Sequence, residues 1–143
     1  MNSQEFKYSE IMDTLELPCP PENFEKKETV AFRWVFDTIE NELNFLPQYF
    51  KNPQRFQNKP SALKCQSVGL SFFDSEESAR KRFNILTGRM LTSVKFKIGK
   101  KLAEGKISEK DGESNQPDEK GHFTLHQFKD VDLKEAFTII GDL

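Results

Sequence analysis

Residues 69–83 read Gly69-Leu-Ser-Phe-Phe-Asp-Ser-Glu-Glu-Ser-Ala-Arg-Lys-Arg-Phe83, and this stretch decides the fold. Gly69 to Phe73 has the apolar density of a short buried strand. Asp74 is predicted to cap a helix, with Glu77 three residues on. Ala79, Phe83, Leu86 and Met90 then recur at helical spacing, with Arg80, Lys81, Arg82 and Arg89 on the other faces, and Gly88 marks the end. A strand running straight into a helix exposes backbone N–H groups at the helix start, where anionic groups are favoured. The unit is either the edge of a site or a well-formed corner.

Working outward, Glu28-Thr-Val-Ala-Phe-Arg-Trp-Val-Phe36 is the densest run of β-branched and aromatic residues, so it is read as a strand. Alternation puts Val30, Phe32, Trp34 and Phe36 on one face. Ala31, Arg33 and Val35 take the other, weaker face. Asp37-Thr-Ile-Glu40 is predicted to start a helix that buries Ile39, Leu43 and Leu46. Ser9 is predicted to cap a short helix with Ile11, Met12 and Leu15 as its stripe, stopped by Pro18, Pro20 and Pro21. Residues 47–62, with Pro47, Pro53 and Pro60, are read as irregular, packed on the domain by Tyr49, Phe50 and Phe56. Ser93-Val-Lys-Phe-Lys-Ile98 alternates as a half-exposed strand, Leu102 to Ile107 follows as another, and residues 108–121 are read as a mobile hairpin loop. His122 to Phe128 resumes as a strand, Val131 to Ala136 as a helical turn, and Phe137 to Ile140 as a buried closing strand.

These elements predict one compact α+β domain over residues 1–143, with a mostly antiparallel, twisted sheet of five or six strands and two or three helices. Residues 1–27 form an N-terminal helix and a proline-rich arm. With 143 residues and 14 Phe, the chain has enough material for a real core. A net charge of −2 with mixed signs argues against a general nucleic-acid binder. A basic face from Arg80, Lys81, Arg82, Lys95, Lys97, Lys100 and Lys101 would be needed for that function. No run suits a membrane span, the N-terminal residues lack the apolar core of a secretory signal, and Cys19 and Cys65 are read as a reduced pair in a cytoplasmic protein.

No nucleotide-loop, metalloprotease or hydrolase motif is present. The acids in 111–119 lack the glycine and alternating ligands of a calcium loop. His122 and His126, four apart in a strand, are read as surface or hydrogen-bonding residues rather than metal ligands. Arg33, flanked by Phe32 and Trp34, either reaches solvent at a sheet edge or pairs with an acid such as Glu40, or else clamps an anion with its forked guanidinium. Ser71 is read as bonded to a neighbouring backbone group, and Asp74 and Ser75 as capping residues.

The order of these pieces resembles the ADP-ribosyltransferase-like proteins. The similarity runs over about residues 28–128. It rests on Thr29-Val-Ala-Phe-Arg33-Trp as an early strand with an inward arginine, and on Gly69-Leu-Ser71-Phe-Phe-Asp-Ser75-Glu-Glu-Ser-Ala79 as a middle strand running into a helix. A late strand in that group supplies a polar residue to the nicotinamide ribose; the nearest candidates here are Gln127 and, secondly, His122. The chain departs from the group in having no glutamate within that late strand. The resemblance implies an NAD-binding domain in which Arg33 clamps phosphate or ribose, Ser71 orients the ribose, and Gln127 or His122 sits by the glycosidic bond. Transfer would then work by positioning and charge stabilisation of an oxocarbenium-like state. The other expectation is a non-catalytic module that binds a protein partner or a second copy of itself through the surplus of Phe. Convergence of Arg33, Ser71 and Gln127 on one pocket separates the two.

Overall fold

The computed structural model describes residues 5–88 and 98–143. The expected strand at Ser93 to Ile98, apart from Ile98 itself, lies outside the described residues, as do Arg89, Met90, Lys95 and Lys97. Six strands form one antiparallel sheet: β1 (Thr29–Val35), β2 (Leu70–Phe73), β3 (Lys101–Ile107), β4 (Gly112–Ser114), β5 (His122–Gln127) and β6 (Phe137–Asp142), in the order β4-β5-β2-β1-β3-β6. The α+β reading holds. The helices are more numerous than expected because most are single turns: α1 (Ser9–Met12), α2 (Gln48–Lys51), α3 (Pro53–Phe56), α4 (Ser61–Ser67) and α5 (Glu76–Thr87), plus 3-10 turns at Glu42–Phe45 and Leu133–Ala136.

The sheet buries both faces unequally. On one side Ala31, Val35, Leu70, Phe72, Ala103, Ile107, Phe123, Leu125, Leu133 and Phe137 form the main core, with Ile39 and Phe45 packed against it. Phe72 stacks between Phe123 and Phe137, with centroids 5.7 and 5.5 Å away. Each fully buried Phe of this kind is worth about 2–3 kcal/mol in apolar area removed from water. On the other side α5 lays Ala79 over Phe32, Phe73 and Leu102, with Trp34 and Leu143 against them. Trp34 Nε1 donates to the carbonyl of Ala79 at 3.0 Å, which satisfies the indole and pins α5 to β1.

This inverts the expected weighting of β1. The Ala31/Val35 face is the fully buried one, while Val30 on the aromatic face is 46 % exposed. β1 is also a central strand, so Arg33 cannot lie at a sheet edge. Several local expectations are corrected in the same way. No helix starts at Asp37. Asn41 instead caps a 3-10 turn by accepting from Leu43 N, Leu43 is exposed, and Asn44 is buried in its place. The Asn44 amide accepts from Phe36 N and donates to Thr38 O, so two hydrogen bonds hold this short connection where a helix was expected.

Residues 47–62 are not irregular but carry α2, α3 and the start of α4. Their aromatic residues do pack on the domain: Phe56 is buried and Tyr49 stacks on it at 6.2 Å. The cap of α5 is Ser75, whose Oγ accepts from Ser78 N at 3.1 Å; Asp74 precedes it. Residues 108–121 hold β4, paired to β5 with Gly112 opposite Gln127, and Ser114 is buried and bridged to Glu25. β6 is an edge strand in which only Phe137 is fully buried. Cys19 and Cys65, expected as reduced thiols, form a disulfide with a Cα–Cα distance of 5.7 Å. Among the described residues, no helix is long and apolar enough to cross a membrane.

Candidate functional site: a cationic cleft where the sheet opens

β1 pairs with β3 through all seven of its residues, from Thr29 opposite Ile107 to Val35 opposite Lys101. With β2 it shares a single pair, Phe32 opposite Phe73. Continued in register, that pairing would set Arg33 against Phe72 and Trp34 against Ser71. Instead the strands part, and backbone groups that a ladder would have satisfied need other partners. Arg33 supplies one. Its Nη1 donates to Ser71 O at 2.6 Å and its Nε to Asn44 O at 2.7 Å. The guanidinium lies 5.5 Å from the Phe72 ring and 5.7 Å from that of Phe45. It therefore wedges the sheet open as well as lining the opening.

The opening is a cavity of about 340 Å³, within the range of small-molecule sites. Arg33 and Trp34 reach it from β1, Ser71 and Phe73 from β2, and His122 from the start of β5. Arg82 and Leu86 close one side from α5, Asn44, Gln48 and Lys51 the other, and Asp118 and Lys120 enter from the β4–β5 loop. Gly99 seals the end: a Cβ there would fall 2.2 Å from backbone atoms of Val35. The N-terminus of α5, which the sequence suggested as the anion-binding corner, contributes no lining residue.

Among the described residues the lining carries four cationic side chains, Arg33, Lys51, Arg82 and Lys120, against one carboxylate, Asp118. Arg33 is 8 % exposed and pairs with no carboxylate among the described residues, Glu40 included. Burial lowers its pKa to about 10, which leaves it charged at neutral pH. Burial, and then the neighbouring Arg33 charge, lower the Lys51 pKa to about 8. A guanidinium and an ammonium whose charges repel across one cavity favour an anion there.

His122 is placed by a tight turn. Asp118 Oδ1 accepts from the backbone N–H of Lys120 at 2.9 Å and of His122 at 3.0 Å. Burial opposes ionisation of Asp118, but these two donors hold its pKa below the usual carboxylate range. Gly121 turns at φ +76°, and its carbonyl accepts from Asp74 N at 2.8 Å. A Cβ on Gly121 would lie 2.5 Å from Asp74 Oδ1 and Ser78 Oγ, so only glycine lets the turn sit against the start of α5. The His122 ring meets the edge of Phe73 at 5.7 Å. Burial lowers its pKa, Asp118 opposes the fall, and Arg82, Lys120 and Arg33 add to it. His122 is thus a neutral imidazole in a cationic cleft.

Of the residues singled out in the sequence, Arg33, Ser71 and His122 come together and Gln127 does not. β5 alternates, with His122 opposite Phe73 on the α5 side and Phe123 opposite Phe72 in the main core. Gln127, five residues beyond His122, falls on the opposite face. It is 4 % exposed, lines a different depression beside Asp130 and Leu133, and its Nε2 has no hydrogen-bond partner. Ser71 is exposed to the cleft; its carbonyl, not its hydroxyl, is the group bonded to Arg33. Lys51, Arg82 and Lys120 were not recognised as site residues. Of the residues named for a basic face, Arg80 pairs with Glu76 and bonds Asp142 O, Lys101 pairs with Asp142, Arg82 lines the cleft, and Lys95 and Lys97 lie outside the described residues. Comparison with protein-family models, with curated proteins and with solved structures returned no match.

Proposed function

We propose that the cleft binds an anionic nucleotide such as NAD, as in an ADP-ribosyltransferase-like domain. One observation carries this reading: Arg33, Ser71 and His122, from three different strands, line one cavity whose other charged groups, among the described residues, are three cations and a single carboxylate. The convergence of Arg33, Ser71 and Gln127 set out from the sequence is not met, because Gln127 lies on the opposite face of β5; the reading rests on His122 in the late-strand role.

The donor set suits such a ligand. Arg33, Lys51, Arg82 and Lys120 would hold the diphosphate. Ser71 offers a hydroxyl to the ribose, and Trp34, Phe73 and Leu86 offer apolar surface to a ring. The neutral His122 is both donor and acceptor beside the glycosidic bond. NAD would supply that labile bond and its leaving group. Asp118 has its Oδ1 engaged by two backbone donors, so the general base, if transfer occurs, is His122. The assembly reading draws on the exposed Leu17, Val30, Leu43, Leu63, Ile85 and Ile140, which sit on separate segments. A cytoplasmic location would require the Cys19–Cys65 bond to be opened by cellular thiols.

The test uses the sole tryptophan, Trp34, which lines the cleft, as the reporter. Fluorescence and thermal melting are followed with NAD, ADP-ribose, AMP and inorganic pyrophosphate. At a hundredfold excess over its dissociation constant, a ligand of the folded state adds about 2.7 kcal/mol of stability. A response to NAD and ADP-ribose that is lost in His122→Ala supports the reading. The absence of any response to all four refutes it.

A further inference from the structure

We infer that Cys19, Cys65 and His126 form a zinc site when the disulfide is reduced. This cluster lies outside the cationic cleft and is carried by three separate segments: the proline-rich arm, α4 and β5. The two sulfurs and a ring nitrogen of His126 all lie within 4.8 Å of one another. Cys65 Sγ is 3.9 Å from His126 Nε2. In a tetrahedral zinc site with bonds of about 2.3 Å to sulfur and 2.0–2.1 Å to nitrogen, ligand atoms stand about 3.5–3.8 Å apart. The Cys65 sulfur and the His126 nitrogen are thus already close to ligand spacing, and the two sulfurs must separate. Cys19, half-buried on its loop, supplies that movement.

A second observation is the state of His126. It is 2 % exposed and packed 5.3 Å from the Phe24 ring. Its Nδ1 has no hydrogen-bond partner, and its Nε2 meets only the sulfur. A fully buried imidazole without an oxygen or nitrogen partner is costly and asks for an explanation. Coordination through Nε2 would give the ring one strong partner in place of the sulfur contact, with Nδ1 left to carry the proton. Two thiolates and one neutral imidazole also cancel the charge of a divalent ion, so a buried complex carries no net charge.

The chemistry balances with a dithiol reductant. It donates two electrons and two protons to the Cys19–Cys65 bond, giving two thiols, and becomes a disulfide itself. Zinc then displaces the two thiol protons and takes both thiolates and His126, with its fourth position open to water. Disulfide and metal exclude one another, so the arm is tied to α4 in either state, by a covalent bond or by an ion. Only the metal state also grips β5, the strand that begins with His122.

The experiment titrates Co²⁺, then Zn²⁺, into the full chain, oxidised and after reduction with a phosphine under nitrogen. The reduced chain should bind one Co²⁺ with a thiolate-to-cobalt charge-transfer band and tetrahedral visible bands, both removed by Zn²⁺. The oxidised chain should show neither. His126→Asn should weaken binding at least about tenfold. Because His126 is buried, Cys19→Ser on the half-buried loop is tested beside it, with folding checked by circular dichroism; it should lose the charge-transfer intensity of one thiolate and most of its affinity. A reduced chain without the charge-transfer band overturns the inference, as does unchanged affinity in folded His126→Asn or Cys19→Ser.

Discussion

Lys51→Met should make the protein more stable and its cleft worse at its task. Met keeps about the length of the lysine side chain, whose Nζ lies 6.0 Å from the Phe36 ring centroid, and deletes the charge. The fall of the Lys51 pKa from its ordinary 10.5 to about 8 shows how strongly the fold disfavours the ammonium. Fully buried, that fall would equal roughly 3.4 kcal/mol. Lys51 is only partly buried, so solvent screening leaves roughly 1–2 kcal/mol. For a domain of this size that is a rise in melting temperature of about 3–6 °C. The sign follows from linkage. A lysine with a depressed folded-state pKa destabilises fully below that pKa, and the penalty disappears as pH rises past the unfolded value. The gain of Lys51→Met should therefore be full below about pH 8 and gone above about pH 10.5. The assay is urea unfolding of both proteins at pH 7, 9 and 10.5. In parallel, affinity for ADP-ribose should fall by about tenfold or more, as for loss of one charge-assisted contact. A variant that is less stable at pH 7, or that binds ADP-ribose as the parent does, would refute the account of Lys51.

Three further outcomes are expected. Anion affinity of the parent should decline between pH 7 and 9 as Lys51 loses its proton near pH 8, and Lys51→Met should flatten that slope; competition titrations across the range measure it. Gly121→Ala should cost about 2–4 kcal/mol in denaturant unfolding, because it adds positive-φ strain to clashes with Asp74 and Ser78. Ser75→Ala should cost about 1 kcal/mol and Asp74→Ala less, the reverse of what capping by Asp74 would give.

The strands other than β4, whose three residues sit in a polar stretch read as a loop, were legible because they state their pattern locally. Thr29 to Val35 and His122 to Gln127 carry β-branched and aromatic residues, and Leu70 to Phe73 is bounded by a glycine and a cap. Arg33 stood out because a charge among Phe32 and Trp34 must be explained. The opening between β1 and β2 was not legible, since it depends on two strands parting after one bridge, and no residue in either announces that. Strand parity would have helped: His122 and Gln127 are an odd number apart, so no single face of β5 holds both. Lys51 was hidden in a proline-rich stretch whose single-turn helices leave no periodicity to read. α4 was missed because seven residues with Lys64, Gln66 and three small side chains show little amphipathic contrast. The disulfide joins residues 46 apart in sequence, so only the folded arrangement of arm, α4 and β5 reveals it.

The opening beside Arg33 is, we propose, an anion site read by Lys51 and His122. Calorimetric titration of ADP-ribose into the parent chain, Lys51→Met and His122→Ala tests it most directly. One site per chain is expected, weakened by salt, with affinity reduced in both variants while both stay folded. No heat of binding for the parent at low salt, or equal affinity in all three proteins, would contradict it.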